Sequence, residues 1–270
     1  MLTVDSISIQ YEKKTVIQDF SFSVQEGEIV SIIGPNGSGK STILKAISRQ
    51  LAPSKGDIKL QGVNISKLGR KETARQMCML SQRNTAPEDM TVYDLVSYGR
   101  YPHKRWFEKL AEKDEKIIEW ALEKTNMTQF KEKRIAMLSG GESQRAWIAM
   151  ALSQQPKILL LDEPTTYLDI SHQHEVLELV QELNREMNMT VIMVLHDLNQ
   201  ASYYSNRIVV VQNGKKQSCG TPEQVMTTDM VKNVYRMNCE INCNCNDKKP
   251  RIHLLNSTKV RGGISVDKAN

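Results

Sequence analysis

Ile29-Val-Ser-Ile-Ile33-Gly34-Pro35-Asn36-Gly37-Ser38-Gly39-Lys40-Ser41-Thr42 is the stretch on which the reading of the fold turns. Its first five residues form an apolar run broken by Gly34, the pattern of a strand buried on both faces. After Lys40, the residues Ile43, Leu44 and Ile47 fall on one side of a helix. Between them, Gly34 to Ser41 matches G-x-x-x-x-G-K-[ST], a phosphate-binding loop. Each part has a physical reason. The glycines let consecutive backbone N–H groups turn inward around phosphate oxygens. The helix that follows points its positive end at the same anion. Lys40 adds a full charge at the β/γ-phosphates, and Ser41 offers a hydroxyl to Mg²⁺. Gly34, Pro35, Asn36, Gly37, Ser38, Gly39, Lys40, Ser41 and Thr42 are therefore candidate nucleotide contacts.

Working outward, Leu2, Val4, Ile7 and Ile9 alternate, as do Val16, Phe20, Phe22 and Val24. Period two predicts half-buried antiparallel strands at the N-terminus. From about Thr91 to Gln155 the patterns are helical, notably Ala111 to Met127 and Ser143 to Leu152. Continuous apolar runs return at Ile158–Leu161, Val191–Leu195 and Ile208–Val211, with helical patterns between them. Strands alternating with helices imply a parallel α/β sheet, here with a helical lobe inserted. Beyond Val225 the chain reads as a helix near Asp229 to Tyr235 and strand-like pieces around Glu240 and Ile252 to Leu255.

Two further stretches carry chemistry. Ile158-Leu-Leu-Leu-Asp162-Glu163-Pro164 is an apolar strand ending in two carboxylates. Such acids at a buried strand end are costly unless a cation or proton meets them. Asp162 fits a place beside Mg²⁺, and Glu163 fits a general base for an attacking water. Leu138-Ser139-Gly140-Gly141-Glu142-Ser143-Gln144 again sets Ser and Gly before a helix, which makes a second anion site. Two phosphate sites in one chain suggest an active site completed by a second copy across a two-fold axis.

These motifs resemble those of ATP-binding-cassette (ABC) ATPases over roughly residues 2–225. Leu138 to Glu142 is similar to the family signature LSGGQ, with Glu142 where Gln is usual. The resemblance implies roles for several other residues. Gln82, ending Cys78-Met-Leu-Ser-Gln82, takes the Q-loop place, touching Mg²⁺ and water and relaying to a membrane partner. Asp169 takes the D-loop place and His196 the place of the switch histidine near the γ-phosphate. Tyr11 takes the place of the aromatic that stacks on adenine. It further implies ATP and Mg²⁺ as ligands, with Ser41, Gln82 and Asp162 at the metal. Glu163, His196 and Gln82 would be catalytic. Ser139, Gly140, Gly141 and Glu142 would reach the nucleotide of the opposite subunit of a homodimer. The fold implied is an α/β P-loop NTPase core of ABC type, with mixed sheet, N-terminal antiparallel β subdomain and inserted helical lobe. Residues 2–236 form the ATPase domain, with the lobe at about 91–155. Residues 237–270 form a small C-terminal appendage and basic tail.

Within the family, Tyr98-Gly99-Arg100-Tyr101-Pro102-His103 is similar to the GR-x-P-H pattern of ferric-siderophore, haem and cobalamin importer ATPases. Asp162-Glu-Pro-Thr-Thr-Tyr-Leu-Asp169-Ile, His172, Gln173, Glu175, Val176 and Leu195-His196-Asp197-Leu198-Asn199-Gln200-Ala201 point the same way, as does Met226 to Leu255. Ferric siderophore is the favoured cargo, haem or cobalamin the alternative. The implied partners are integral-membrane permease subunits and, indirectly, an extracytoplasmic substrate-binding protein. The groove for the permease is expected between Gln82 and Trp106, with Tyr98, Arg100, Tyr101, Arg105 and Trp106 as anchors.

Composition narrows the alternatives. The chain has 270 residues, 40% hydrophobic and 25% charged, enough for one sizeable α/β domain. No apolar run approaches the roughly 20 residues that span a bilayer. The N-terminus MLTVDSISIQ shows no secretory signal pattern. The expected location is peripheral, on the cytoplasmic face of the cell membrane. Of the net +5, the segment from Asn246 to Asn270 carries six Lys or Arg against two Asp. The rest is near neutral, so no nucleic-acid partner is expected. A soluble ABC ATPase of repair or translation would carry two cassettes or a long coiled-coil insertion. Only 55 residues separate Gln82 from Leu138, room for a compact lobe. An exporter domain would carry fused membrane helices. A small-molecule P-loop kinase leaves the motif at Ser139 unexplained. Cys239, Cys243 and Cys245, with His253, could supply four soft metal ligands, but at a spacing that fits no zinc pattern. They are read as reduced thiols, as are Cys78 and Cys219.

Overall fold

A computed structural model describes residues 1–12, 14–105, 108–243 and 249–255. The N-terminal alternation becomes an antiparallel hairpin of β1 (Leu2–Tyr11) and β2 (Lys14–Val24). Ser6 and Asp19 adopt φ of 48° and 47°. Each inserts a residue into the pairing and shifts the inward phase. The shift explains the jump from Leu2 and Val4 to Ile7 and Ile9. It also corrects one expectation: Ile17, not Val16, is the fully buried residue before Phe20.

The run Ile29–Ile33 is β3, followed by the glycine-rich loop and α1 (Lys40–Ile47). β4 (Lys55–Leu60) and β5 (Val63–Asn64) return to the first sheet, whose order is β2-β1-β4-β5. Next come α2 (Arg70–Gln76) and β6 (Met77–Leu80). Three helices follow: α3 (Val92–Tyr98), α4 (Glu112–Lys124) and α5 (Gly140–Ser153). The chain then alternates through β7 (Ile158–Asp162), α6 (Ile170–Met187), β8 (Thr190–Val194), α7 (Leu198–Tyr204) and β9 (Arg207–Gln212). β10 (Lys215–Gly220), α8 (Pro222–Val225), α9 (Thr228–Met230) and a π-helical stretch Val231–Tyr235 lead to a last hairpin. That hairpin pairs β11 (Cys239–Cys243) with β12 (Pro250–Leu254).

The second sheet has the order β10-β9-β3-β8-β7-β6, parallel except for β10 at its edge. Its strands are continuous apolar runs because both faces are covered. Val30, Ile32, Ile158, Leu160, Ile192, Val194, Val209 and Val211 join one core, against α1 and the first sheet. Their alternating neighbours Ile29, Ile33, Leu159, Leu161, Val191, Met193, Ile208 and Val210 join the other, against the helices. Each such side chain, fully buried, contributes about 1.5–3 kcal/mol. The fold is thus the expected α/β core, with a mixed sheet, an antiparallel β unit and helices between β6 and β7.

Candidate functional site

The carboxyl ends of parallel strands gather the loops that follow them, which is where open α/β sheets bind ligands. Here β3, β8, β7 and β6 are neighbours, and Asp162 lies opposite Val194, itself opposite Ile32. That register brings together the loops carrying Gly34–Gly39, His196, Glu163 and Gln82.

The phosphate-binding loop requires its glycines. A Cβ on Gly34 would sit 2.0 Å from the Val211 carbonyl oxygen, and one on Gly39 would sit 2.4 Å from Ile17 Cδ1. Gly37 and Gly39 hold φ of 76° and 103°, a region L-residues rarely occupy. Gly39 is the N-cap of α1 and makes no side-chain cap bond. The Ser38 hydroxyl is buried with no hydrogen-bond partner. The loop therefore carries donors that the chain itself does not use, in the shape an anion would fill. Lys40 Nζ donates to the carbonyls of Gly34 (2.9 Å) and Pro35 (3.1 Å). Burial lowers its pKa, against the pull of the Glu163 and Asp162 carboxylates.

Ser41 Oγ donates to Asp162 Oδ1 at 2.8 Å. Burial raises the Asp162 pKa, partly offset by the Ser41 bond, while the Glu163 charge raises it further. A buried carboxylate beside a hydroxyl offers hard oxygen donors of the kind Mg²⁺ takes. The residues fit that ion.

Glu163 is the centre of the second cluster. Its Oε1 lies 2.6 Å from His196 Nε2. Its Oε2 accepts from Gln82 Nε2 and, at 3.2 Å, from Thr166 Oγ1. Its side chain is 11% exposed, against 42% for His196. Glu163 also holds φ of 54°, a backbone strain of about 1–3 kcal/mol for a non-glycine residue. Gln82 is turned to Glu163 here, with no bond to Ser41 or Asp162.

Tyr11 closes the β1–β2 hairpin opposite Lys14 and is 44% exposed. The same hairpin supplies Ile17, paired with Ile9, whose Cδ1 a Cβ on Gly39 would meet.

The second anion motif is built differently. Ser139 caps α5, its Oγ accepting the Glu142 N–H at 3.3 Å, while Glu142 Oε2 accepts the Ser139 N–H at 2.8 Å. Lys133 Nζ stands 3.6 Å from the same carboxylate. The Ser139 backbone bond, chiefly, and Lys133 hold the Glu142 pKa down. A Cβ on Gly141 would meet the His172 ring at 2.3 Å, and one on Gly140 would meet Leu168 at 3.2 Å. Asp169 caps α6: its Oδ1 accepts from the His172 N–H and Ser171 Oγ, both at 2.9 Å, and faces His172 Nδ1 at 2.8 Å. Those bonds push its pKa down to about 2.

A sequence model of the ABC transporter family matches residues 17–166. The chain belongs to the ABC transporter family. It is an ABC-type ATPase. It is 46% identical over 241 residues to a petrobactin import ATP-binding protein of Bacillus anthracis, covering 89% of each chain. It is 44% identical to the iron(3+)-hydroxamate import ATP-binding protein of Bacillus subtilis, covering 92% of this chain and 93% of that one. Among solved structures, an inward-facing ABC transporter described as metal-chelate type aligns with TM-score 0.83 at 26% identity. That alignment covers 95% of this chain and 98% of the other.

Set in this ABC ATPase, the expected anchors of a partner groove divide. Tyr98 and Tyr101 are exposed, their rings tilted by 36° with centroids 4.9 Å apart. They line a groove of about 620 Å³ with Met90, Tyr93, Lys104 and Glu108. Arg100 is not an anchor. It is 4% exposed, bonded to Asp114 at 2.8 Å and to the Ser153 carbonyl at 2.7 Å, so it fastens α3 to α4 and α5. Arg100→Ala would test folding and not docking. Trp106 lies outside the described residues, as do Cys245 and the tail from 256. Cys239 is buried in the core and Cys243 exposed on the last hairpin. Among the described residues no helix is long and apolar enough to cross a membrane. Sequence reasoning missed Thr166, and it gave His172 no contact with Gly141. The Thr166 bond belongs to the local turn that begins at Glu163, while the approach of His172 to Gly141 is set by packing between segments distant in the chain.

Proposed function

We propose that the chain is the ATP-binding and ATP-hydrolysing subunit of a ferric-siderophore importer, working at the cytoplasmic face of the membrane through permease subunits. An extracytoplasmic binding protein would deliver the cargo to the permease. The names of its relatives, importers of petrobactin and ferric hydroxamate, support the cargo class. The ATPase reading rests on one observation, the convergence of Gln82, Thr166 and His196 on Glu163 beside the Ser41–Asp162 pair. Residues 2–236 act as the ATPase domain, with 91–155 as its helical lobe and 237–270 as an appendage.

In this reading Gly34 to Thr42 hold the ATP phosphates and Tyr11 lies under the adenine. Ser41 and Asp162, with Gln82, would hold Mg²⁺, which supplies charge neutralisation on the phosphate oxygens. Glu163 takes the proton of the attacking water as its oxygen bonds to the γ-phosphorus. The bond from that phosphorus to the bridging oxygen breaks, and ADP and phosphate leave. His196 orients Glu163 and the water. Two copies face each other so that Ser139, Gly140, Gly141 and Glu142 of one meet the nucleotide held by the other, with Asp169 beside them. Closure moves the helical lobes, and the groove at Tyr98 and Tyr101 passes that movement to the permease.

The test is purification from membranes with identification of the co-purifying proteins and of the iron chelate taken up. Recovery with soluble proteins alone would sink the importer reading. Tyr101→Ala should lower transport while leaving the melting temperature and basal ATP hydrolysis of the isolated subunit unchanged. A fall in all three together would place Tyr101 in the core.

A further inference from the structure

His196 is nearly half exposed, so burial does not fix its imidazole against Glu163. The backbone on its two sides fixes it: before it, buried Leu195 donates its N–H to the Ile32 carbonyl at 3.3 Å, and after it comes α7. Asp197 caps α7, its Oδ1 accepting the Gln200 N–H at 2.8 Å, and the helix is only seven residues long. Helices this short do not hold themselves in water and take their position from tertiary contacts.

Those contacts lie on two sides. Toward the nucleotide site, Gln200 accepts from Thr165 Oγ1 at 3.3 Å and donates to Gln173 Oε1 at 2.7 Å. Gln173 in turn donates to the Leu168 carbonyl at 2.9 Å. On the other side stands the C-terminal hairpin. Asn199 Nδ2 donates to the Ile252 carbonyl at 3.1 Å, and Asn199 Oδ1 accepts the Ile252 N–H at 2.7 Å. One side chain thus satisfies both backbone groups of a strand residue, as a neighbouring strand would. Ser202 Oγ donates to the Pro250 carbonyl at 2.7 Å, Lys249 Nζ donates to the Tyr203 carbonyl, and the Arg251 guanidinium lies 4.9 Å from the Tyr203 ring centroid. β12 has β11 on one edge, and α7 occupies the other. Ile252 and Cys239 anchor the hairpin in the core shared with the helices.

We infer that Asn199 and the β11–β12 hairpin are positioning parts of the hydrolytic site, clamping α7 so that His196 stays in place against Glu163. The hairpin is then more than an appendage: it is the outer jaw of a mount whose inner jaw is the Thr165–Gln200–Gln173 chain. The inference rests on the roles proposed for Glu163 and His196.

ATP hydrolysis by the full chain tests it. Asn199→Ala should lower kcat about ten- to hundredfold, the range a small misplacement costs, with KM for ATP and ADP affinity unchanged. Asn199→Asp keeps the acceptor for the Ile252 N–H and should recover part of the loss. In a His196→Ala background, measured by single turnover, adding Asn199→Ala should cost less than about twofold, because residues acting through one another are not additive. A merely structural asparagine would multiply its penalty undiminished in that background, and this overturns the inference. So does Asn199→Ala with wild-type kcat, or with kcat and nucleotide affinity falling together. If His196→Ala alone leaves hydrolysis unchanged, the site reading itself fails, an outcome separate from failure of the clamp.

Discussion

The starts of α1 and α5 both offer backbone N–H groups to an anion, but they are finished in opposite ways. At α1 the N-cap is Gly39, in the left-handed region, with no side chain returning to the helix. The loop around it keeps an unpartnered buried hydroxyl on Ser38 and a cation on Lys40. At α5 the chain closes its own cap: Ser139 and Glu142 bond to each other's N–H groups, and Lys133 attends the carboxylate. The first end leaves its donors unused within one chain. The second is satisfied without a ligand, and a phosphate reaching it must displace a cap worth about 1 kcal/mol and meet an anionic side chain. A monomer should therefore bind nucleotide at α1 alone, and α5 should engage only when a second copy presents a phosphate already held elsewhere.

The sharpest way to break this comparison is to stop hydrolysis while leaving both sites able to bind. Glu163→Gln removes the base but keeps a side chain that His196, Gln82 and Thr166 can reach. Turnover should fall about 10²–10⁴-fold with ATP affinity retained, and size measurement with ATP should show a trapped dimer. Wild-type turnover in this variant would end the assignment. Lys40→Ala then attacks the α1 site alone. It removes charge-assisted bonds of about 1.5–3 kcal/mol, so ATP affinity or hydrolysis should drop about ten- to hundredfold with the fold retained in thermal melting. Unchanged hydrolysis would contradict the phosphate role of the loop.

Much of the fold and of the site is legible in the sequence. The strand–loop–helix at Ile29 to Ile47, the apolar strand ending in Asp162 and Glu163, and the Ser139-Gly-Gly run ahead of a helix are local patterns whose physics lies within a dozen residues; the closed cap between Ser139 and Glu142 is not among them. The phase of β2 is not legible, because the bulge at Asp19 moves Ile17 inward without any signature of its own. Arg100 reads from sequence as an interface anchor because its partners, Asp114 and the Ser153 carbonyl, lie on other helices. The meeting of Gln82, Glu163 and His196 depends on the strand order β3-β8-β7-β6, which no single segment states. The clasp between Asn199 and Ile252 joins a motif residue to the least distinctive part of the chain.

Gly141→Ala perturbs the α5 site and spares α1. Its new Cβ would press into the His172 ring, and forcing such overlap costs about 1–3 kcal/mol, here as a shift of the motif against Asp169 and His172. ATP-driven dimerisation, followed by light scattering in a Glu163→Gln background, should weaken about tenfold, while nucleotide affinity of the monomer stays unchanged. Loss of monomer binding as well would mean that the two sites are not separable.

The smallest expected effect is the most specific to this chain. Glu142→Gln keeps the acceptor for the Ser139 N–H and removes one negative charge from the place where a partner's phosphate would arrive. In the single chain the charge is favourable: it sits in the first turn of α5 and beside Lys133, terms of about 0.3–1 kcal/mol each at an exposed surface. The substitution should therefore lower the melting temperature of the nucleotide-free monomer slightly. In the closed dimer the sign reverses, because the carboxylate then faces an anion and Lys133 offsets it only in part. ATP-driven dimerisation of Glu142→Gln in the Glu163→Gln background should strengthen by no more than about fivefold, and less at high salt, where such charges are screened. Lys133→Ala should do the opposite, weakening dimerisation, because it leaves Glu142 uncompensated. If Glu142→Gln weakens the dimer, the carboxylate is needed for assembly, and the contrast between an open α1 site and a self-closed α5 site does not hold.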